Sequence, residues 1–259
     1  MKKLTIILIA CVALLASCKQ EQKATYYSDI YAEKPVNVYI SPVNDLSERR
    51  TVKYPKDAEW NNELNTAAKY LYQTMASPLV RHGYYVPGPV VCEEITKAID
   101  LTPKQLRNGS LEVLATRFGI DAVVNTTILK WKEENGRWIA YIEYQMRSTK
   151  SGVELMHKWV KAVKEVPTNL KGDPIVLKQD KAFAKQMGFD NGTAQRCYLM
   201  EKVNDYVLRN IPISSTRRQF EDDLFKSATQ THILYTWNEE GKADVQPLSI
   251  EQFEQEAFI

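Results

Sequence analysis

The chain has 259 residues, 44% of them apolar and 25% charged. That suffices for one sizeable domain with its own core and excludes a disordered secreted tail. The formal net charge is only +2 and no basic stripe is visible, which argues against a nucleic-acid partner.

Lys2 and Lys3 precede an apolar run from Leu4 to Ala16. The run is too short to span a bilayer as a helix, which takes about 20 residues. A basic start, a short apolar middle and a small-residue exit make a secretory signal. The run closes on Leu15-Ala16-Ser17-Cys18, which resembles the bacterial lipobox, where the chain is cut before the cysteine and the thiol is acylated. Residues 1–17 then form a signal peptide and Cys18 is the lipid attachment site. The alternative is an ordinary signal with an incidental cysteine. No second apolar run is long enough to cross a membrane, so attachment rests on the lipid, at about 0.8 kcal/mol per buried CH2. Of the four cysteines, Cys11 leaves with the signal. Cys92 and Cys197 remain in an oxidising compartment, either bridged or as two small buried hydrophobes.

Residues 18–33 are polar and read as a tether. Val36, Val38 and Ile40 alternate with Asn37 and Tyr39, a strand stopped by Ser41-Pro42. A charged loop follows, with Asp57 as a candidate N-cap. Leu64, Ala67, Ala68, Leu71, Tyr72, Met75 and Leu79 then share one helical face. Pro78 either kinks this helix or restarts it with Ser77 as N-cap, and Gly83 ends it in the left-handed region. Tyr84-Tyr85-Val86 makes a short strand before Pro87-Gly88-Pro89. Residues 92–99 and 103–107 read as short helices, the second opened by Thr102-Pro103. Ser110 caps a helix striped by Leu111, Leu114, Ala115 and Phe118 and closed by Gly119.

The clearest β signal spans Asp121 to Gly152. Ala122 to Trp131 is apolar or threonine on both faces, as in a central strand. Asn135-Gly136 is a hairpin dipeptide. On the return, Trp138, Ala140, Ile142, Tyr144 and Met146 share one face, and Glu143, Gln145 and Arg147 the other. After Ser151-Gly152, the third strand is lined by Val153, Leu155, Trp159 and Val163, with His157 and Lys161 on the same side. Residues 175–187 are weakly helical. Thr193 caps a long helix striped by Cys197, Met200, Val203, Val207 and Ile211, ended by Pro212. Residues 231–237 alternate like an edge strand, turned by Glu240-Gly241. Ser249 and Gln252 form a capping box, with Leu248 and Phe253 as a staple, for a last helix over 250–258 that should dock either on its own domain or in a groove of a partner lipoprotein. The order β-α-β-α-β-β-β-α predicts an α/β domain over 34–211, a mixed sheet with helices packed on it, and an extension over 212–259.

The segment Ala76 to Pro87 resembles the signature "PLAEAGYYVLP" of a family of bacterial lipoproteins that includes a meningococcal surface-lipoprotein antigen. Ser41-Pro42-Val43-Asn44 is similar to the "PPVN" that ends its first strand. Leu114 to Ala122 is similar to its "L...FGADA", and Thr149 to Leu155 to its "TGKVLW" turn, with Met156 where the family prefers Trp. The resemblance covers residues 34–211. It implies a fold similar to the N-terminal domain of TolB and to curli-secretion lipoproteins, and a non-enzymatic accessory role in envelope assembly, secretion or transport. The implied partners are other envelope lipoproteins or secretion components. It supplies no catalytic residues, and no cofactor is expected.

The residues themselves point the same way. His82, His157 and His232 are the three histidines, and none shares metal-ligand spacing with another. No nucleophile elbow, phosphate loop or dinucleotide fingerprint occurs. Glu93-Glu94, Asp222-Asp223 and Arg49-Arg50 read as solvated pairs. Trp131, Trp138, Tyr141 and Tyr144 lie on neighbouring strands, either as cross-strand pairs under a helix or as an exposed strip able to bind a sugar or a partner. The expectation is an outer-membrane lipoprotein, anchored through Cys18, facing the periplasm and acting by protein contact. A surface glycan-binding lipoprotein and an envelope hydrolase are the alternatives.

Overall fold

The computed structural model describes residues 27–47, 58–171, 173, 175–214, 232–238 and 240–258. They form a seven-stranded mixed sheet layered with helices on both faces. In chain order the elements are α1 (Ser28–Glu33), β1 (Val38–Ile40), β2 (Asn44–Asp45), α2 (Ala58–Thr74), α3 (Ala76–Arg81), α4 (Pro89–Ile99), α5 (Pro103–Asn108), α6 (Glu112–Phe118), β3 (Ala122–Glu134), β4 (Arg137–Ser148), β5 (Glu154–Lys164), α7 (Lys178–Met187), α8 (Asn191–Arg209), β6 (His232–Trp237), β7 (Ala243–Pro247) and α9 (Ile250–Phe258). The strand order is β1-β3-β4-β5-β6-β7, and β2 continues the track of β1 along β3. β1 and β2 run parallel to β3, the β3-β4-β5 meander is antiparallel, and β6 returns parallel to β5. The predicted mixed α/β architecture is the one observed.

The main core lies between the sheet and α2, α3 and α8. Ala140, Ile142, Tyr144 and Met146 meet Leu64, Leu71 and Met75 of the first long helix and Met200, Val203 and Val207 of the last. The predicted stripes of both helices are buried as a result, Ala68 only in part. The first helix breaks at Met75, and Pro78 sits in the first turn of α3, where its missing N–H costs nothing. Asn204 secures that break. Its amide donates to the Leu71 carbonyl at 2.6 Å and to the Thr74 hydroxyl at 2.8 Å, and its carbonyl accepts from Tyr144 at 2.8 Å. Further along β5, at the register of Trp138, Lys164 and Asp180 form a fully buried ion pair at 3.3 Å. Gln195 bonds both Asp180 and the Trp138 indole, tying α7 and α8 to β4 and β5.

Several predicted signals are seen as physical devices. Gly83 and Gly119 take φ of 83° and 63° at helix ends, and Asn135-Gly136 takes φ of 52° and 73° at the hairpin. Thr102 and Gln105 complete a capping box. Cys92 and Cys197 are free, buried thiols, and burial pushes the Cys197 thiol up to about 12.

Other expectations are corrected. The last turns of the expected tether form α1, because Tyr27 and Ile30 are buried against the domain and draw the chain into a helix. Residues 84–86 make one parallel bridge, Asn37 to Tyr85. The cap of α8 is Asp190, whose carboxylate accepts from the Thr193 N–H at 2.8 Å and hydroxyl at 2.6 Å, so the helix starts earlier than Thr193. On β5 the main core receives Met156, Lys158, Val160, Ala162 and Lys164, while His157, Trp159, Lys161 and Val163 face the second layer. Both faces carry apolar residues, so alternation alone does not rank them. β6 is not an edge strand: β7 pairs outside it, and the exposed, Pro-ended β7 is the edge. Residues 232–247 of the predicted extension thus complete the same sheet. Asp57, Arg49-Arg50 and Asp222-Asp223 lie outside the described residues.

Candidate functional site

The second face of the sheet carries a belt of titratable side chains. Strand alternation sends Ile139, Tyr141, Glu143, Gln145 and Arg147 there from β4, and His157, Trp159, Lys161 and Val163 from β5. β6 adds His232 and Leu234 in register with Trp159 and Lys161. A bulge at Leu129 shifts the register of β3, so that Lys130 pairs with Tyr141. Two helices cover the ends of this face, α5 beside Asn125 and Arg147, and α9 over Tyr141 and Val163.

At the α5 end, Arg147 donates to the carbonyls of Arg107 at 2.7 Å and Gly109 at 3.2 Å, and Asn125 donates to that of Leu106 at 3.1 Å. These bonds satisfy acceptors that a helix C-terminus leaves open and add charge of the favourable sign.

The centre is a chain of polar groups around Glu143, whose side chain is 3% exposed. Its Oε1 receives the Arg107 guanidinium and lies 2.7 Å from His157 Nε2. His157 Nδ1 faces Glu154 at 3.1 Å, and Glu154 accepts from Gln145 at 2.8 Å. Both ring nitrogens of His157 therefore meet carboxylates. His157 stacks on Trp159 with ring centres 3.7 Å apart, and His232 stacks on its other side at 4.4 Å. Burial holds His232 below the ordinary imidazole range, with Glu254 opposing and His157 reinforcing the shift.

At the α9 end, Phe253 is fully buried, edge-on to Tyr141 and His232. Glu256 accepts from Lys161 at 2.6 Å and from the Tyr141 hydroxyl. Burial alone would raise the Glu256 carboxyl, but these two donors outweigh it and hold the group below its usual range. Burial and the same carboxylate push the Tyr141 hydroxyl up. Ser249 accepts from the Gln252 N–H at 3.1 Å, and Leu248 packs in the same cluster as Phe253, as the predicted cap and staple require.

Chemically the belt is a set of neutralised charges. Glu143 and Glu256 each face cations, and the rings are stacked on one another. The predicted attachment residue, Cys18, lies outside the described residues. His82 is buried at the end of α3, remote in sequence register from this belt. Trp131, Tyr141 and Tyr144 are buried and Trp138 is half-buried beneath Gln195 and Arg196, so the aromatic strip is packed rather than open. Arg107, Glu154 and Trp159 were not singled out as a site from the sequence. The visible signal was the polar alternation Glu143, Gln145 and Arg147 on a strand whose register partners include His157 and Trp159.

No family model matches the chain, and neither does any curated protein. Solved structures do. In structure the chain is similar to lipoprotein GNA1162 from Neisseria meningitidis. That likeness has 17% identity and a TM-score of 0.40, and covers 60% of this chain and 99% of the other. The hypothetical protein CT253 from Chlamydia trachomatis follows at 11% identity and a TM-score of 0.35, over 67% and 96%. A PelC dodecamer from Paraburkholderia phytofirmans gives 10% identity and 0.32, over 66% and 86%.

Proposed function

We propose that this is a lipid-anchored protein of the bacterial cell envelope, an accessory of envelope assembly, secretion or transport that acts through protein contacts and not as an enzyme. The observation that carries the reading is Leu15-Ala16-Ser17-Cys18 at the end of a signal-like run, only a short polar stretch before Tyr27, which is already buried in the fold. A domain hung so closely from a lipid works at the membrane surface. The outer membrane, with the domain facing the periplasm, is the location this reading favours.

The second-face belt supports binding over catalysis. A general acid or base needs to reach substrate, whereas Glu143 and Glu256 are already engaged by Arg107, His157, Lys161 and Tyr141. Glycan binding would require an aromatic platform, and both faces of Trp159 are covered by histidine rings. The test is fractionation of cells expressing the wild type and Cys18→Ala, followed by affinity capture of the wild type from detergent-solubilised envelopes. The expected result is membrane-bound wild type with a stoichiometric envelope partner, and a precursor or a soluble domain for the variant. A Cys18→Ala protein that stays with membranes after a high-salt wash contradicts the reading.

A further inference from the structure

We propose that Lys164, Asp180 and Trp237 form a binding site for one internal water molecule beneath α7. The inference is independent of the anchor reading and uses side chains that play no part in it.

Strand register builds one side of the site. Trp138 of β4, Lys164 of β5 and Trp237 of β6 pair across the sheet as one row. Lys164 thus ends β5 with an indole on each neighbouring strand, and both indoles pack against the main core. Asp180 comes from above, in the first turn of α7, where the positive end of the helix dipole favours a carboxylate. It shares with Ala184 the buried side of that helix.

The ion pair is closed off from solvent, with both side chains 0% exposed, yet its polar atoms are incompletely used. Lys164 Nζ stands 3.3 Å from Asp180 Oδ2, and Gln195 Nε2 stands 3.5 Å from the same oxygen. A charge-assisted N–H···O bond closes to about 2.7–2.9 Å, so both contacts are long. Neither Lys164 Nζ nor Asp180 Oδ1 completes a hydrogen bond with the protein. The Trp237 indole N–H is a third buried group without an acceptor, whereas the Trp138 indole donates to Gln195 at 3.1 Å. Burial pushes the Lys164 ammonium down, and Asp180 works against that shift. An ammonium and a carboxylate taken out of water need their remaining donors and acceptors filled.

The chemistry of the three groups selects the ligand. Lys164 and Trp237 only donate, and an ionised Asp180 only accepts. A group between them must accept from two neighbours and donate to the third. Water does so with about three bonds, the usual number for a buried water. An anion would meet both donors but face Asp180. A cation would meet Asp180 but face Lys164. The charges of the pair balance and the site is closed, so the ligand is neutral and small.

The experiment is a crystal structure of the purified mature protein at a resolution that shows ordered waters. Oxygen-17 relaxation dispersion of the solvent, which registers waters held longer than the protein tumbles, reads the same site in solution. The expected result is a water oxygen about 2.7–3.2 Å from Lys164 Nζ, Asp180 Oδ1 and Trp237 Nε1. Lys164→Met with Asp180→Leu replaces the pair by apolar side chains of similar volume, an exchange that folded proteins tolerate. It should lower the dispersion amplitude by one water. Closure of Lys164 onto both Asp180 oxygens with no density between them overturns the inference. So does density that misses any of the three groups, such as an anion held by Lys164 and Trp237 away from Asp180. An unchanged dispersion amplitude in the folded double variant also overturns it. If the double variant does not fold, the density in the wild type decides alone.

Discussion

Replacing Phe253 by alanine tests whether α9 belongs to the domain. The ring is fully buried, packed edge-on at 5.7 Å from Tyr141 and 5.4 Å from His232. Burying an aromatic side chain of this size and leaving a cavity in its place sets the loss at about 3–5 kcal/mol. A helix as short as α9, with 9 residues, is marginal in water and depends on docking. Phe253 and Ala257 supply its buried apolar contacts and Glu256 its bonds to Lys161 and Tyr141. If α9 unfolds together with the sheet, the melting midpoint falls by about 6–20 °C. If it undocks first, amide exchange over residues 250–258 speeds up by about two to three orders of magnitude, since each 1.4 kcal/mol is tenfold. Thermal denaturation and hydrogen exchange on one purified sample distinguish these routes. An unchanged midpoint with unchanged exchange over α9 would refute the reasoning, because it would mean that the ring's burial contributes nothing.

Asn204→Leu leaves the Leu71 carbonyl, the Thr74 hydroxyl and the Tyr144 hydroxyl short of their partner, and should cost about 3 kcal/mol in denaturant titration. Gly83→Val forces a β-branched side chain to φ of 83°, and a loss of about 1–3 kcal/mol is expected in the same assay. Burial pushes the Lys158 ammonium down to about 7. Its folded value lies below the unfolded one, so stability rises as pH climbs from about 7 toward about 10.4, by up to about 1.4 kcal/mol per unit. Lys158→Met should remove most of that slope between pH 7 and 9, and an unaltered slope would show that Lys158 is not its source.

The sheet was legible where the chain carries strong local chemistry. Asn135-Gly136, Gly83, Gly119 and the Thr102 and Ser249 caps each dictate one backbone conformation, and each is found in place. The helix stripes around Leu71 and Val203 were legible because one face alone is apolar. β7 was not, since Asp244, Gln246 and Pro247 lack a strand pattern and pair only because β6 presents an open edge. The layering of β5 was hidden because Trp159 and Val163 are as apolar as Val160 and Ala162, and the choice of main face falls to the helices. The central belt was half legible. The polar alternation on β4 was visible, but the approach of Arg107 from α5 and of His232 from β6 is long-range, set by a parallel pairing that no local signal announces.

The central claim is that Cys18 becomes the acylated first residue of the mature protein. Mass spectrometry of the native protein, purified from detergent-solubilised envelopes and digested, tests it most directly. The account predicts an N-terminal peptide beginning at Cys18 and carrying the mass of a diacylglyceryl group, with none from residues 1–17. A mature chain with an unmodified Cys18, or one that retains residues 1–17, would contradict it.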